Sequence, residues 1–494
     1  MRWPVPRRAF AAAVLALGAI PVAECQKTNT GKTDVTVIGE PPTLADPAAG
    51  PLTTPQSVLL GNVAQGLVRF DAAGQIVPGI AERWNVTDDG MSYIFRLETA
   101  QWPNGRKITA EQVARILRRQ LGGRSQNRLK DTLGAVSEIK AMTDRVIEIT
   151  LKAPRPNMLA LLAQPEFAIV YQSEGTGPFR IGPNSKPPGV DLVRTVTNLD
   201  DEVTRKEEVV LEGAAAPAAV RAFLQGKTDL VLGGTYVDLP YTRGEKLPKN
   251  ALRFDPAAGL FGLVPARADG PLADAGLRRL LSQAIDRQAL IDALNVPGLL
   301  PRATVLEPGL DGVEDPVAPE WMSTPLDQRR PALVQAAGQQ LSGIDKPVLR
   351  VALSDGPGAR VLLNRLATDW GPLGIRVEAA PQAKDADLVL VDLVAPSNSA
   401  AWFLRSFRCG QAAICDPNAD QLLDGARNTT VPLQRYAFLT QAAQLIDQQQ
   451  LFIPIAAPIR WSLVSDRVQG FAVNRFARHT LTGLTDRLDR DRNE

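Results

Sequence analysis

Residues 59–121, LLGNVAQGLVRFDAAGQIVPGIAERWNVTDDGMSYIFRLETAQWPNGRKITAEQVARILRRQL, constrain the fold more tightly than any other stretch. Turn signals cut it into short pieces. Asp71-Ala72-Ala73-Gly74 is a turn in which Gly74 is free to take positive φ, and Pro78-Gly79 is a second break. Asp88-Asp89-Gly90 predicts a hairpin turn between Trp84-Asn85-Val86 and a strand over 92–97. In that strand Tyr93, Phe95 and Leu97 point one way and Ile94 and Arg96 the other, as in a half-buried strand. After the Pro103-Asn104-Gly105 turn, Thr109 stands three before Gln112. That is a capping-box start for a helix with Val113, Ile116 and Leu117 on one face. The pieces together make a compact α/β unit.

Their order is more specific than any one of them. Asn62, Gly66-Leu67-Val68, Asp71, Gly74, Pro78, Ala81, Trp84, Asp88-Asp89-Gly90, Tyr93, Phe95, Leu97, Gly105 and Thr109-Ala110-Glu111 stand in sequence. This string resembles the signature of extracellular solute-binding proteins of family 5, the oligopeptide, dipeptide and nickel-binding receptors of ABC importers. Further hallmarks follow in order: Gly175-Thr176-Gly177-Pro178-Phe179, the helix pattern Leu277–Arg287 ending in Ala284-Ile285-Asp286-Arg287, Ile453-Pro454-Ile455, and Val468-Gln469-Gly470-Phe471. The resemblance therefore runs from about Val35 to Phe471.

The resemblance implies an α/β, two-lobed periplasmic-binding-protein fold, type II and cluster C-like, with an additional small α/β subdomain inserted in lobe one. Lobe one is expected over 33–260 with 452–494, the subdomain over about 50–163, and lobe two over 261–451. The 494 residues suit several domains, and a net charge of +2 argues against nucleic acid as a partner.

The N-terminus reads as a secretory signal over 1–25: Arg2, Arg7 and Arg8 precede an apolar run over 9–20 that is too short to span a bilayer. Arg7-Arg8 also resembles a twin-arginine export motif. Cys25, before a polar tether over 26–32, is a candidate lipid attachment site; its neighbour Glu24 departs from that pattern, and cleavage near Ala19 or Ala23 is the other reading. Cys409 and Cys415 form a C-x5-C pair. In an exported protein this reads as a disulfide closing a small loop, and metal binding is the weaker reading because no His or further Cys stands nearby.

Two glycines within Gly175-Thr176-Gly177 demand unusual backbone angles or close backbone approach. A phosphate cradle is excluded, because no Lys-Ser/Thr follows. Asp286 is placed to cap a second helix, with Arg287 in a local ion pair. Residues 348–353, 361–370, 373–378 and 387–391 read as β-α-β-β.

Catalytic motifs are scarce. The single histidine, His479, lies in a basic region, and there is no H-E-x-x-H, P-loop or G-x-S-x-G. The chain is therefore expected to be no enzyme, to need no cofactor and to hold no metal. It would act as a monomeric receptor that captures a small solute between its lobes and delivers it to a permease and ATPase complex in the inner membrane. A peptide or peptide-like ligand leads. A metal chelate, sugar or antibiotic-like solute is the alternative, with a secreted hydrolase or a periplasmic chaperone-like role behind it.

The candidate ligand-binding residues are Glu40 and Thr43 from lobe one and Asp392, Val394, Pro396 and Trp402 from lobe two. Loops after strand ends carry ligand contacts in doubly wound lobes, and Asp392 follows the strand predicted over 388–391. Peptide-binding family members usually place a Trp and an Asp after this strand, the Asp pairing with the peptide ammonium. By resemblance those places fall on Leu393 and Pro396. Pro396 offers neither charge nor N–H, so free peptide N-termini are expected to bind weakly.

Overall fold

A computed structural model describes residues 32–484, apart from 184, 186–187, 198–203, 245 and 344–346. The signal segment, Cys25 and most of the tether lie outside the described residues. Lys32 already belongs to the first strand, Lys32–Ile38. Among the described residues no helix is long and apolar enough to cross a membrane.

Lobe one is built on a seven-stranded mixed sheet. Lys32–Ile38 lies at its centre, parallel to Thr204–Ala214 on one side and Leu230–Thr235 on the other. Val35, Val37, Leu211 and Leu230 bury the sheet face beneath helix Thr54–Val63, whose Leu59 and Val63 share that core. The last strand, Arg460–Val464, inserts antiparallel between Leu230–Thr235 and Leu252–Phe254, so the lobe is discontinuous in sequence.

The subdomain carries a four-stranded antiparallel sheet, Ala81–Val86, Ser92–Leu97, Val146–Leu151 and Val136–Thr143, covered by helix Ala110–Leu121. Tyr93, Phe95 and Leu97 are buried, and both capping-box bonds between Thr109 and Gln112 form at 3.3 Å. Gly90 takes φ +66° in the hairpin turn. The insertion starts later than the expected residue 50, because helix Thr54–Val63 packs on lobe one. The subdomain core instead runs from Leu67 to Ile169.

Gly175 and Gly177 meet the close-approach requirement rather than the angular one. A Cβ on Gly175 would stand 2.3 Å from the Val63 carbonyl oxygen, and one on Gly177 would stand 2.4 Å from that of Asn62. The loop is stitched to the end of helix Thr54–Val63 by the N–H groups of Gly177 and Phe179, each 3.0 Å from the Val63 and Asn62 carbonyls.

Lobe two has a five-stranded sheet in the order Arg376–Ala380, Val348–Ala352, Leu388–Val394, Gly259–Pro265, Ile453–Ala456. The expected return to lobe one at residue 452 is corrected here. Ile453–Ala456 pairs with Gly259–Pro265 and buries Ile453 and Ile455 in lobe two, so the crossing falls between Ala456 and Arg460. The outgoing crossing, 255–258, runs beside it, with the Asp255 N–H donating to the Arg460 carbonyl at 3.0 Å.

Asp286 caps its helix through the Ala289 N–H at 2.9 Å. Arg287 makes no ion pair with it. The buried guanidinium donates instead to the Pro454 and Ser282 carbonyls, and burial pushes its pKa down to about 9. Cys409 and Cys415 are joined, their Cα atoms 5.1 Å apart.

Candidate functional site

The two lobes and the subdomain meet across a closed cleft. Gln164 Nε2 donates to the Pro396 carbonyl at 2.8 Å, Arg155 Nη2 to the Arg427 carbonyl at 2.9 Å, and Arg435 Nη1 to the Pro154 carbonyl at 3.2 Å. Each bond joins the subdomain to lobe two. Among the cavities along the cleft, two bear on the site.

The first encloses about 250 Å³ where all three parts converge. Its carboxylates are already matched. Asp392 accepts from Arg460 Nη1 at 2.8 and 3.1 Å, a pair that links the lobe-two sheet to the first residue of the lobe-one strand after the crossing. Burial holds the Asp392 carboxyl above its usual range, and Arg460 opposes that rise. Glu166, 4% exposed, accepts from Arg478 Nη2 at 3.2 Å, and Arg478 Nε donates to Gln164 Oε1 at 3.1 Å. Asp255 stands 3.2 Å from His479 Nε2, and the His479 ring stacks on Phe471.

The second cavity, about 580 Å³, lies between the subdomain and lobe two and is lined by Arg155, Arg405, Arg408, Arg427 and Arg435. Small-molecule sites typically enclose about 300–1,000 Å³, so this space is large enough for a solute. Asp131 is its single acidic lining residue.

The model of bacterial extracellular solute-binding proteins, family 5 middle, matches residues 75–412. The chain belongs to this family. Among its relatives, "Probable di/tripeptide-binding protein 5" of Pseudomonas aeruginosa is 25% identical over 475 residues, covering 83% of this chain and 88% of the relative. Heme-binding protein A of Haemophilus influenzae is 22% identical over 551 residues, covering 96% and 98%. The solved murein tripeptide binding protein MppA of Escherichia coli superposes with a TM-score of 0.77 at 18% identity, over 91% of this chain and 97% of that one, and shares the fold. Family-5 proteins are substrate-binding receptors of ABC importers rather than enzymes, and its members are periplasmic.

In this family-5 receptor the sequence candidates separate. Asp392, Val394 and Pro396 line the first cavity. The strand extends to Val394, so Asp392 lies within it rather than in a following loop. Trp402 is buried in helix Ala400–Arg405 and lines the second cavity. Glu40 and Thr43, expected in the cleft, are exposed and line neither cavity. Thr43 instead accepts a bond from Gln56, the residue that completes the cap of helix Thr54–Val63.

Sequence reasoning missed Gln164, Glu166, Asp255, Arg460 and Arg478 in the first cavity, and the arginines of the second. Arg475, Arg478 and His479 form a compact basic group that could have pointed to the cleft. The arginines between 405 and 435 gave no such signal, because Asp416, Asp420 and Asp424 stand among them. Among the described residues no group of three or more His, Cys, Asp or Glu could hold a metal ion.

Proposed function

We propose that this protein captures a peptide or peptide-like solute in the interlobe cleft and hands it to an inner-membrane permease and ATPase complex, as a monomer without enzymatic activity. The observation that carries the reading is the closed cleft itself. Three separate parts of a family-5 chain enclose cavities joined by direct hydrogen bonds, the arrangement that hinge closure on a ligand requires. The names of relatives support the peptide class. A secretory signal over 1–25 and a lipid on Cys25 would hold the mature chain outside the cytoplasm.

A non-peptide solute is the second reading, and Pro396 favours it. Among the described residues the first cavity offers no carboxylate free for a peptide ammonium, since Asp392, Glu166 and Asp255 each have a partner, and the second offers only Asp131, set among arginines. Calorimetry with a mixed di- to pentapeptide library and its N-acetylated counterpart separates the two. Tight binding of free peptides that is lost on acetylation would show that an acidic group serves the amine. Small-angle scattering should show compaction on binding, and a ligand that binds without compaction overturns capture by lobe closure. Fractionation of cells carrying Cys25→Ser tests the anchor: membrane association that survives the change rules out the lipid.

A further inference from the structure

The second cavity is unbalanced in charge. Five arginines line it against one exposed aspartate, Asp131. Arg408 is matched, with Asp424 at 2.8 Å and Asp420 at 3.8 Å. No ion pair within 4 Å is found for Arg155, Arg405, Arg427 or Arg435 among the described residues. Arg155 spends its Nη atoms on backbone carbonyls. Arg405 Nη1 and Arg435 Nε are buried and have no hydrogen-bond partner at all. Burial, reinforced by Arg435 and Arg427, pushes Arg155 down to about 10.

A second, neutral feature points the same way. The Ser397 hydroxyl lines the cavity, is 1% exposed and has no partner. Buried donors left unmatched are costly in a folded protein, and a guanidinium cluster without counter-charge is more so. Guanidinium groups bind the planar or tetrahedral oxygens of carboxylates and phosphates with charge-assisted bonds.

We propose that the second cavity binds an anionic group of the captured solute, a carboxylate or phosphate oxyanion, held by Arg405, Arg435 and Arg155 and by the Ser397 hydroxyl. The assignment rests on the receptor reading above and names the chemistry that the ligand must carry. Oxyanion oxygens accept the donors that the protein leaves unmatched, and the negative charge offsets the arginine excess. Trp402 and Leu161 supply apolar wall beside them.

The test is calorimetry on the full mature chain with tricarballylate, glycerol 3-phosphate and glycerol, in chloride of matched ionic strength. At least one of the two anions should bind saturably and glycerol should not; which anion binds separates a carboxylate ligand from a phosphate one. Arg405→Gln should weaken that binding at least tenfold, and Ser397→Ala at least threefold. Arg115→Gln, the same charge change on an exposed helix face, should stay within twofold of the parent. Because the Ser397 hydroxyl has no hydrogen-bond partner among the described residues, its variant keeps the test valid if Arg405→Gln misfolds. The proposal is overturned if neither anion binds beyond chloride, or if Arg405→Gln and Ser397→Ala bind as the parent does. Peptides that bind the parent and Arg405→Gln alike would leave the receptor reading standing while the anion assignment falls.

Discussion

Gln164 and Pro396, 232 residues apart, are joined by a buried 2.8 Å hydrogen bond from the Gln164 side-chain amide to the proline carbonyl. The other end of the same amide accepts from Arg478 Nε at 3.1 Å. One side chain of the subdomain thus ties lobe two to the C-terminal part of lobe one. Pro396 serves here, through its backbone carbonyl, as a latch.

Removing the latch should therefore loosen closure. Gln164→Ala strands the Pro396 carbonyl and Arg478 Nε, at a cost of about 2–3 kcal/mol. Denaturant titration should show that loss. Small-angle scattering should show less compaction on ligand binding than the parent shows.

Gly177→Ala should destabilise lobe one. The new Cβ would meet the Asn62 carbonyl at 2.4 Å and the Val63 backbone at 2.5 Å, and rigid backbone cannot yield as a side-chain tip can. A loss of about 1–3 kcal/mol is expected. Gly123→Ala, with no atom within 4 Å, is the control and should fall within about 0.5 kcal/mol of the parent.

Asp447 should make stability fall as pH rises. Burial pushes its carboxyl up to about 7, while the Val305 N–H at 2.9 Å opposes the rise. The folded state then holds a proton that the unfolded chain, titrating near pH 3.9, releases. The contribution is fully present below about pH 4, declines between about pH 4 and 7, and is lost above that. Asp447→Asn keeps an acceptor for the Val305 N–H without the charge. Its melting temperature should match the parent near pH 4 and exceed it at pH 8, by the equivalent of roughly 2–4 kcal/mol.

The Cys409–Cys415 bond should protect both thiols. Labelling of the unfolded, unreduced mature protein should find neither residue free. Cys409→Ser with Cys415→Ser should cost about 2–3 kcal/mol by the loop-entropy model. Both residues labelled would show that the bond is absent from the exported protein.

Local patterning was enough for the sequence to determine the subdomain hairpin, the cap at Thr109 and the cap at Asp286. Each rests on residues within a few positions of one another, where turn chemistry and side-chain alternation act. The close approach at Gly175 and Gly177 was legible as a constraint, though its partner, the end of helix Thr54–Val63, was not. The site was decided elsewhere. Arg460 meets Asp392 only once the chain has crossed between lobes twice, while Gln164 meets Pro396, and Arg155 comes to line one cavity with Arg405 and Arg435, after the first crossing. No local pattern records such pairings, because charge matching across a cleft depends on where strands lie in space and not on spacing along the chain. The same reason moved Ile453–Ala456 into lobe two: its apolar residues fit either core, and only pairing with Gly259–Pro265 chose between them.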